Sequence, residues 1–119
     1  MPRIIYEHSS PRNDNGVLTW HEGETFTIPF QFNIETSLGQ ICVIEPQDKV
    51  TLFIKKDVRY IEKLYERIYT DVKENMILFT VDEELSNILR RGNYVLFVKL
   101  NYGFEQMNLI SNLPIRVEP

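Results

Sequence analysis

From residue 24 to residue 34 the chain alternates without a break. Phe26, Ile28, Phe30, Phe32 and Ile34 fall on one side of a period-two repeat, and Thr25, Thr27, Pro29, Gln31 and Asn33 fall on the other. Successive side chains of a strand point to opposite faces, so this stretch is a strand with one buried face. Pro29 has no N–H to give to a ladder, which predicts that the strand lies at a sheet edge or carries a bulge there.

Residue usage points the same way. The chain has no alanine, the best helix former, while Ile, Val and Thr number 13, 9 and 7. A second alternating stretch, 93–102, sets Tyr94, Leu96, Val98, Leu100 and Tyr102 against Asn93, Val95, Phe97, Lys99 and Asn101. Beyond Gly103 alternation resumes through Met107, Leu109, Leu113, Ile115 and Val117, which predicts a C-terminal hairpin turning near residues 102–105. Shorter strands are expected at 3–7, 17–20, 40–44, 50–55 and 76–81. A polar loop at 9–16, a hairpin turn at His21-Glu22-Gly23-Glu24 and a turn at Glu45-Pro46-Gln47-Asp48 separate them.

One short helix is signalled between Val81 and Gly92. Asp82 is the N-cap, Glu83 and Glu84 favour the positive end of the dipole, and Leu85, Ile88 and Leu89 make an apolar face. Arg90 and Arg91 precede Gly92 as a stop. The stretch 58–72 fits two readings. Ile61, Leu64, Tyr65, Ile68 and Val72 have helical spacing, yet Tyr65, Arg67 and Tyr69 also alternate with Leu64, Glu66 and Ile68 as a strand would.

At 119 residues with no internal repeat or low-complexity linker, one domain over 1–119 is expected, with 1–16 an N-terminal arm or an extra strand. Thirteen Lys and Arg against 17 Asp and Glu leave a net charge of −4, which removes the electrostatic basis for dedicated nucleic-acid binding. No apolar run is long enough for a membrane span and no leader pattern is visible, so a soluble chain is expected. The single cysteine, Cys42, excludes an internal disulfide, and its apolar neighbours mark it as a small buried hydrophobe rather than a nucleophile.

Catalytic and metal-binding patterns are weak. His8 and His21 share no ligand spacing with each other or with Cys42, and the five glycines stand singly, so neither a zinc site nor a phosphate loop is expected. Glu83 with Glu84, or Asp71 with Glu74, could pair as acid and base, but helix starts and hairpin turns attract acids without any catalytic role. No cofactor and no enzyme activity are expected. Aromatics carry the remaining signal. Trp20 could stack on a sugar ring or fill a core, and Tyr60, Tyr65 and Tyr69 could form a stripe on a strand whose other residues, Glu62, Glu66 and Arg67, require an exposed face.

Three stretches in order carry a family resemblance. The first is Gly23-Glu24-Thr25-Phe26-Thr27-Ile28. The second is Asp48-Lys49-Val50-Thr51-Leu52-Phe53-Ile54, followed by a charged strand over 61–70. The third runs from Asp82-Glu83-Glu84-Leu85 through Leu89-Arg90-Arg91-Gly92-Asn93-Tyr94 to Leu100. Together these resemble the N-terminal immunoglobulin-like domain of upper baseplate proteins from phages and prophages of Gram-positive bacteria, over roughly residues 20–117. The resemblance selects the strand reading for 58–72. It implies an all-β, immunoglobulin-like sandwich of about seven to nine antiparallel strands with one short helix near 82–91. It further implies a non-enzymatic virion structural module that contacts other tail or baseplate subunits as a homo-oligomer, and the tyrosine stripe of Tyr60, Tyr65 and Tyr69 and the edge expected at Pro29 are the candidate contacts that the residues themselves offer. The alternative is a carbohydrate-binding or adhesion module that uses exposed Trp and Tyr side chains.

Overall fold

The computed structural model describes residues 2–4, as backbone, together with residues 11–35 and 38–119. These residues form β1 (Pro2–Ile4), β2 (Arg12–Asp14), β3 (Val17–His21), β4 (Phe26–Phe32), β5 (Ile34–Glu35) and β6 (Ile41–Cys42). Then follow β7 (Lys49–Lys55), β8 (Tyr65–Tyr69), β9 (Met76–Val81), α1 (Glu83–Ile88), β10 (Gly92–Tyr102) and β11 (Glu105–Glu118). The all-β expectation holds, with eleven strands among the described residues rather than about seven to nine. Two of the additional strands come from the N-terminal segment, where β1 pairs with β4 and β2 pairs with β3. Residues 5–7 of the strand expected at 3–7, and His8, lie outside the described residues.

The strands form a three-stranded sheet in the order β1-β4-β9, a six-stranded sheet in the order β2-β3-β11-β10-β7-β8, and the small β5-β6 pair. The sheets are not purely antiparallel, because β3 runs parallel to β11, with Leu18 opposite Ile115 and Trp20 opposite Val117. The 21–24 segment explains why. It does not close a hairpin; it carries the chain from the large sheet to the small one. Its turn is tied by the Glu24 N–H donating to the His21 carbonyl (3.1 Å) and the His21 N–H donating to the Glu24 carboxylate (2.6 Å). Gly23 supplies the left-handed backbone (φ 91°) that the corner needs.

Alternation decides which side of each strand enters the core. Ile28, Phe30 and Phe32 of β4 and Ile77, Phe79 and Val81 of β9 meet Leu52 and Ile54 of β7, Leu96 and Val98 of β10, and Ile115 of β11 in one buried cluster. Trp20 lies edge-on to Phe26 at 5.1 Å and so joins β3 of the large sheet to β4 of the small one. Phe30 stacks on Phe79 at 5.7 Å. Burial of each such side chain contributes about 1.5–3 kcal/mol before the entropy of ordering is charged against it.

β4 is not an edge strand. It lies between β1 and β9, and its register with β9 runs from Phe26 to Gln31 with no recorded shift at Pro29, which faces Leu78. Its described pairing with β1 sets Pro2 opposite Phe32 and Ile4 opposite Phe30. On the β9 side the ladder passes Pro29 without a bulge.

The long β10–β11 hairpin turns at Gly103 (φ 60°) and Phe104, as expected. Its register shifts twice, between Leu96 and Val98 and between Val98 and Lys99, and Asn112 adopts a positive φ of 72°. These bulges change the phase of β11, so Ile110 is the buried residue where simple alternation places Leu109. In α1 the Asp82 carboxylate accepts from the Leu85 N–H at 2.8 Å, the N-cap geometry. The helix ends at Ile88, with Leu89 as C-cap, so Arg90 and Arg91 lie beyond it. Leu85, Ser86 and Leu89 are buried, whereas Ile88 is exposed. Within 58–72 only residues 65–69 are a strand, β8, and none of the stretch is helical, so the strand reading holds for that part alone and the rest is loop and turn.

Candidate docking surface

Of the tyrosines expected to form one stripe, Tyr60 is set apart, and Tyr65 and Tyr69 share the inward face of β8. Tyr65 pairs with Ile54 and Tyr69 with Val50, so both take the inward phase of β7 and pack against the core. The Tyr69 hydroxyl donates to the Leu78 carbonyl of β9 at 2.8 Å, and burial pushes its pKa up to about 12. Arg67 shares this phase, with its guanidinium 4.6 Å from the Tyr69 ring centre at the open edge of the sheet. Glu66 and Ile68 are the outward residues of β8. The charges of this strand therefore did not mark a single face: one of them, Arg67, lies over an aromatic ring on the inward side. Tyr60 is exposed, but in the loop between β7 and β8. Pro29 lies mid-sheet, so the proposed Tyr and Pro29 contact surface is not assembled.

Trp20 is 1% exposed and cannot stack on a sugar. His21 is exposed at the end of β3, with its ring near the Pro119 carbonyl and the Arg12 guanidinium. Among the described residues no three His, Cys, Asp or Glu side chains gather as a metal site, and no helix is long and apolar enough to cross a membrane. Asp71 and Glu74 both occupy positive-φ turn positions (54° and 56°), and Asp82 to Glu84 start the helix, the roles in which acids need no catalytic partner.

A different apolar region is left open to water. Near the tip of the β10–β11 hairpin a groove of about 450 Å³ is lined by Ile34, Cys42, Val43, Leu100, Tyr102 and Met107, with Glu35 and Asp48 also at its wall. Ile41 (78%), Val43 (63%) and Phe104 (fully exposed) stand around this end of the molecule. Water-exposed apolar side chains grouped at one end are a mark of an interaction surface. Cys42 is half-buried in the groove wall rather than buried in the core.

The groove wall is held in place by Asn75, which sequence reading did not single out. Lys73 and Met76 bridge across a two-residue turn in which Glu74 and Asn75 both have positive φ (56° and 53°), the type I′ pattern. That turn aims the Asn75 amide at the 42–44 segment. Its Oδ1 accepts from the Ile44 N–H at 2.8 Å, and its Nδ2 donates to the Cys42 carbonyl at 2.9 Å. The Asn75 carbonyl also accepts from the Phe32 N–H at 2.9 Å. One buried residue thus ties β6 and the Ile44 anchor to the ends of β4 and β9. The available signal was Glu-Asn between two strand-like stretches, a turn motif common enough to pass unnoticed.

Apolar side chains are also exposed at the other end of β10. β7 pairs with β10 from Lys55 opposite Val95 to Lys49 opposite Asn101, so the loop after Lys55 lies at the start of β10, away from the hairpin tip. That loop exposes Val58, Tyr60 and Ile61. Compared with known proteins, the chain matches no family model, no curated protein and no solved structure.

Proposed function

We propose that this protein is a non-enzymatic docking module, a rigid β domain that joins neighbouring subunits end to end. The observation that carries this reading is the exposure of Ile41, Val43 and Phe104 around an apolar groove supported from within by Asn75. Exposed apolar residues at both ends of the long β10 strand favour head-to-tail contacts between copies, which close into rings or extend according to the rotation between them. The specific form of the proposal is a phage tail or baseplate subunit with an immunoglobulin-like sandwich, acting in the virion. It draws on the ordered resemblance of residues 20–117 and on two sheets that share one core.

Sedimentation of the purified chain over a wide concentration range tests the surface. Self-association that is lost in a Val43→Asp, Phe104→Asp double variant of unchanged circular dichroism supports it. A wild type that stays monomeric throughout, together with variants that enter assembled particles normally, refutes it. Mass spectrometry of particles collected after prophage induction tests the placement, which requires the chain in the tail fraction at a fixed ratio to other subunits.

A further inference from the structure

The outward face of the six-stranded sheet carries a cluster of cations around an aromatic pair. Phe53 of β7 and Phe97 of β10 are register partners whose rings stack at 5.0 Å, on the side opposite Leu52, Ile54, Leu96 and Val98 of the core. Phe53 is nevertheless only 5% exposed. Lysines help cover it. Lys63 Nζ lies 4.6 Å from its ring centre, Lys99 Nζ 5.6 Å and Lys55 Nζ 5.8 Å, and Lys55 Nζ also lies 5.6 Å from Phe97. Lys55 and Lys99 each stand two residues from a stacked ring and so share its face, while Lys63 reaches in from the loop before β8.

The charges do not balance. Glu66, opposite Phe53 in register, pairs with Lys63 at 2.6 Å. Among the described residues neither Lys55 nor Lys99 forms an ion pair. Three ammonium groups and one carboxylate leave two positive charges in one groove of a chain whose net charge is −4. Attraction of one ring for several cations is modest and is opposed by their mutual repulsion. The Phe pair acts as a platform that holds the lysines in place, and an anion would relieve their repulsion.

We propose that this groove, about 330 Å³ in volume, binds a phosphate monoester as its dianion. Two negative charges match the local surplus, and lysine meets phosphate oxygens as a point charge. Thr51, Asn101 and Gln106 line the same groove as neutral hydrogen-bonding groups. The buried Asn101 Oδ1 has no hydrogen-bond partner among the described residues. A carboxylate would leave one positive charge unmatched. A phosphodiester backbone carries one charge per link and needs a wider basic surface than this acidic chain offers.

The test is an amide chemical-shift titration of the full chain with methyl phosphate, with dimethyl phosphate and acetate at matched ionic strength as comparisons. Saturable shifts confined to the outward rows around Thr51, Phe53, Lys99 and Asn101 are expected with the monoester, and binding at least about tenfold weaker with the two monoanions. Lowering the pH from about 7.5 to about 5 weakens binding as the dianion takes up one proton and becomes the monoanion. Lys99→Gln weakens it by about tenfold, the effect of one charge-assisted hydrogen bond, and Glu66→Gln tightens it. Equal responses to all three anions, shifts scattered away from the groove, or an unchanged affinity in Lys99→Gln would overturn the assignment. The comparison of monoester with diester uses wild-type protein and needs no variant to fold.

Discussion

Removing the Asn75 amide is expected to loosen the groove wall from inside without touching an exposed apolar residue. Asn75→Gly deletes both side-chain hydrogen bonds while keeping a residue that accepts φ 53°. The Ile44 N–H is then buried without a partner, whereas the half-buried Cys42 end is closer to water. At about 1 kcal/mol for each lost bond, with a larger share at Ile44, the cost is about 2 kcal/mol. Asn75→Ala loses the same bonds and adds the left-handed backbone penalty, bringing the cost to about 3 kcal/mol. Urea unfolding at neutral pH measures both, and hydrogen exchange of the Ile44 amide reports the local bond. The expected order is wild type, then glycine, then alanine, with faster exchange at Ile44 in both variants. Equal stability of the glycine and alanine variants would remove the backbone argument. Unchanged exchange at Ile44 would remove the tether itself.

Two further outcomes follow from burial. The pKa of Tyr69 is raised from an ordinary 10.0 to about 12, so the folded state holds its proton where the unfolded chain releases it. Its contribution is fully present below pH 10 and is lost as the pH rises from 10 to about 12. Because the ring is only half-buried, the full two-unit equivalent is discounted to about 1 kcal/mol. Urea midpoints followed from pH 9 to 12 should fall less steeply in Tyr69→Phe than in wild type, and parallel curves would contradict the assignment. Trp20, 1% exposed, should emit at blue wavelengths and resist iodide quenching in the native state; a red, quenchable emission would place the ring at the surface and reopen the glycan-binding alternative.

Strands were legible where one alternating phase persisted over many residues. The β4 pattern over Phe26, Ile28, Phe30 and Phe32 and the β10 pattern over Leu96, Val98 and Leu100 both translate directly into core positions. Pairing between strands was less legible. A glycine turn between two strand-like stretches looks the same whether it closes a hairpin or turns a corner between sheets, and the 21–24 segment does the latter. Parallel pairing of β3 with β11 joins residues nearly a hundred positions apart, as Leu18 and Ile115 are, and no local pattern encodes it. The bulges in β11 were hidden for a related reason: Leu109 and Ile110 are both apolar, and only the register decides which one faces inward.

The surfaces were harder to read because exposure is a property of neighbours. In β8 the tyrosines stood out by residue type, but pairing with Val50 and Ile54 turned them inward and left Glu66 and Ile68 facing out. The same pairing brings Glu66 beside Phe53 and Lys63, and so sets up the lysine cluster. Lys55, Lys63 and Lys99 are ordinary in sequence, spread over two strands and a loop of an acidic chain, and only the β7–β10 register places two of them around one aromatic pair. The apolar end has a similar origin. Val43 and Phe104 lie about sixty residues apart and come to the same end because β6 and the β10–β11 turn border one groove, which Val43, Tyr102 and Met107 line together. The apolar groove at the hairpin tip and the lysine cluster lie on opposite faces of the framework, so Phe104→Asp should leave anion binding intact, whereas Ile61, exposed in the loop before β8, lines the lysine groove itself.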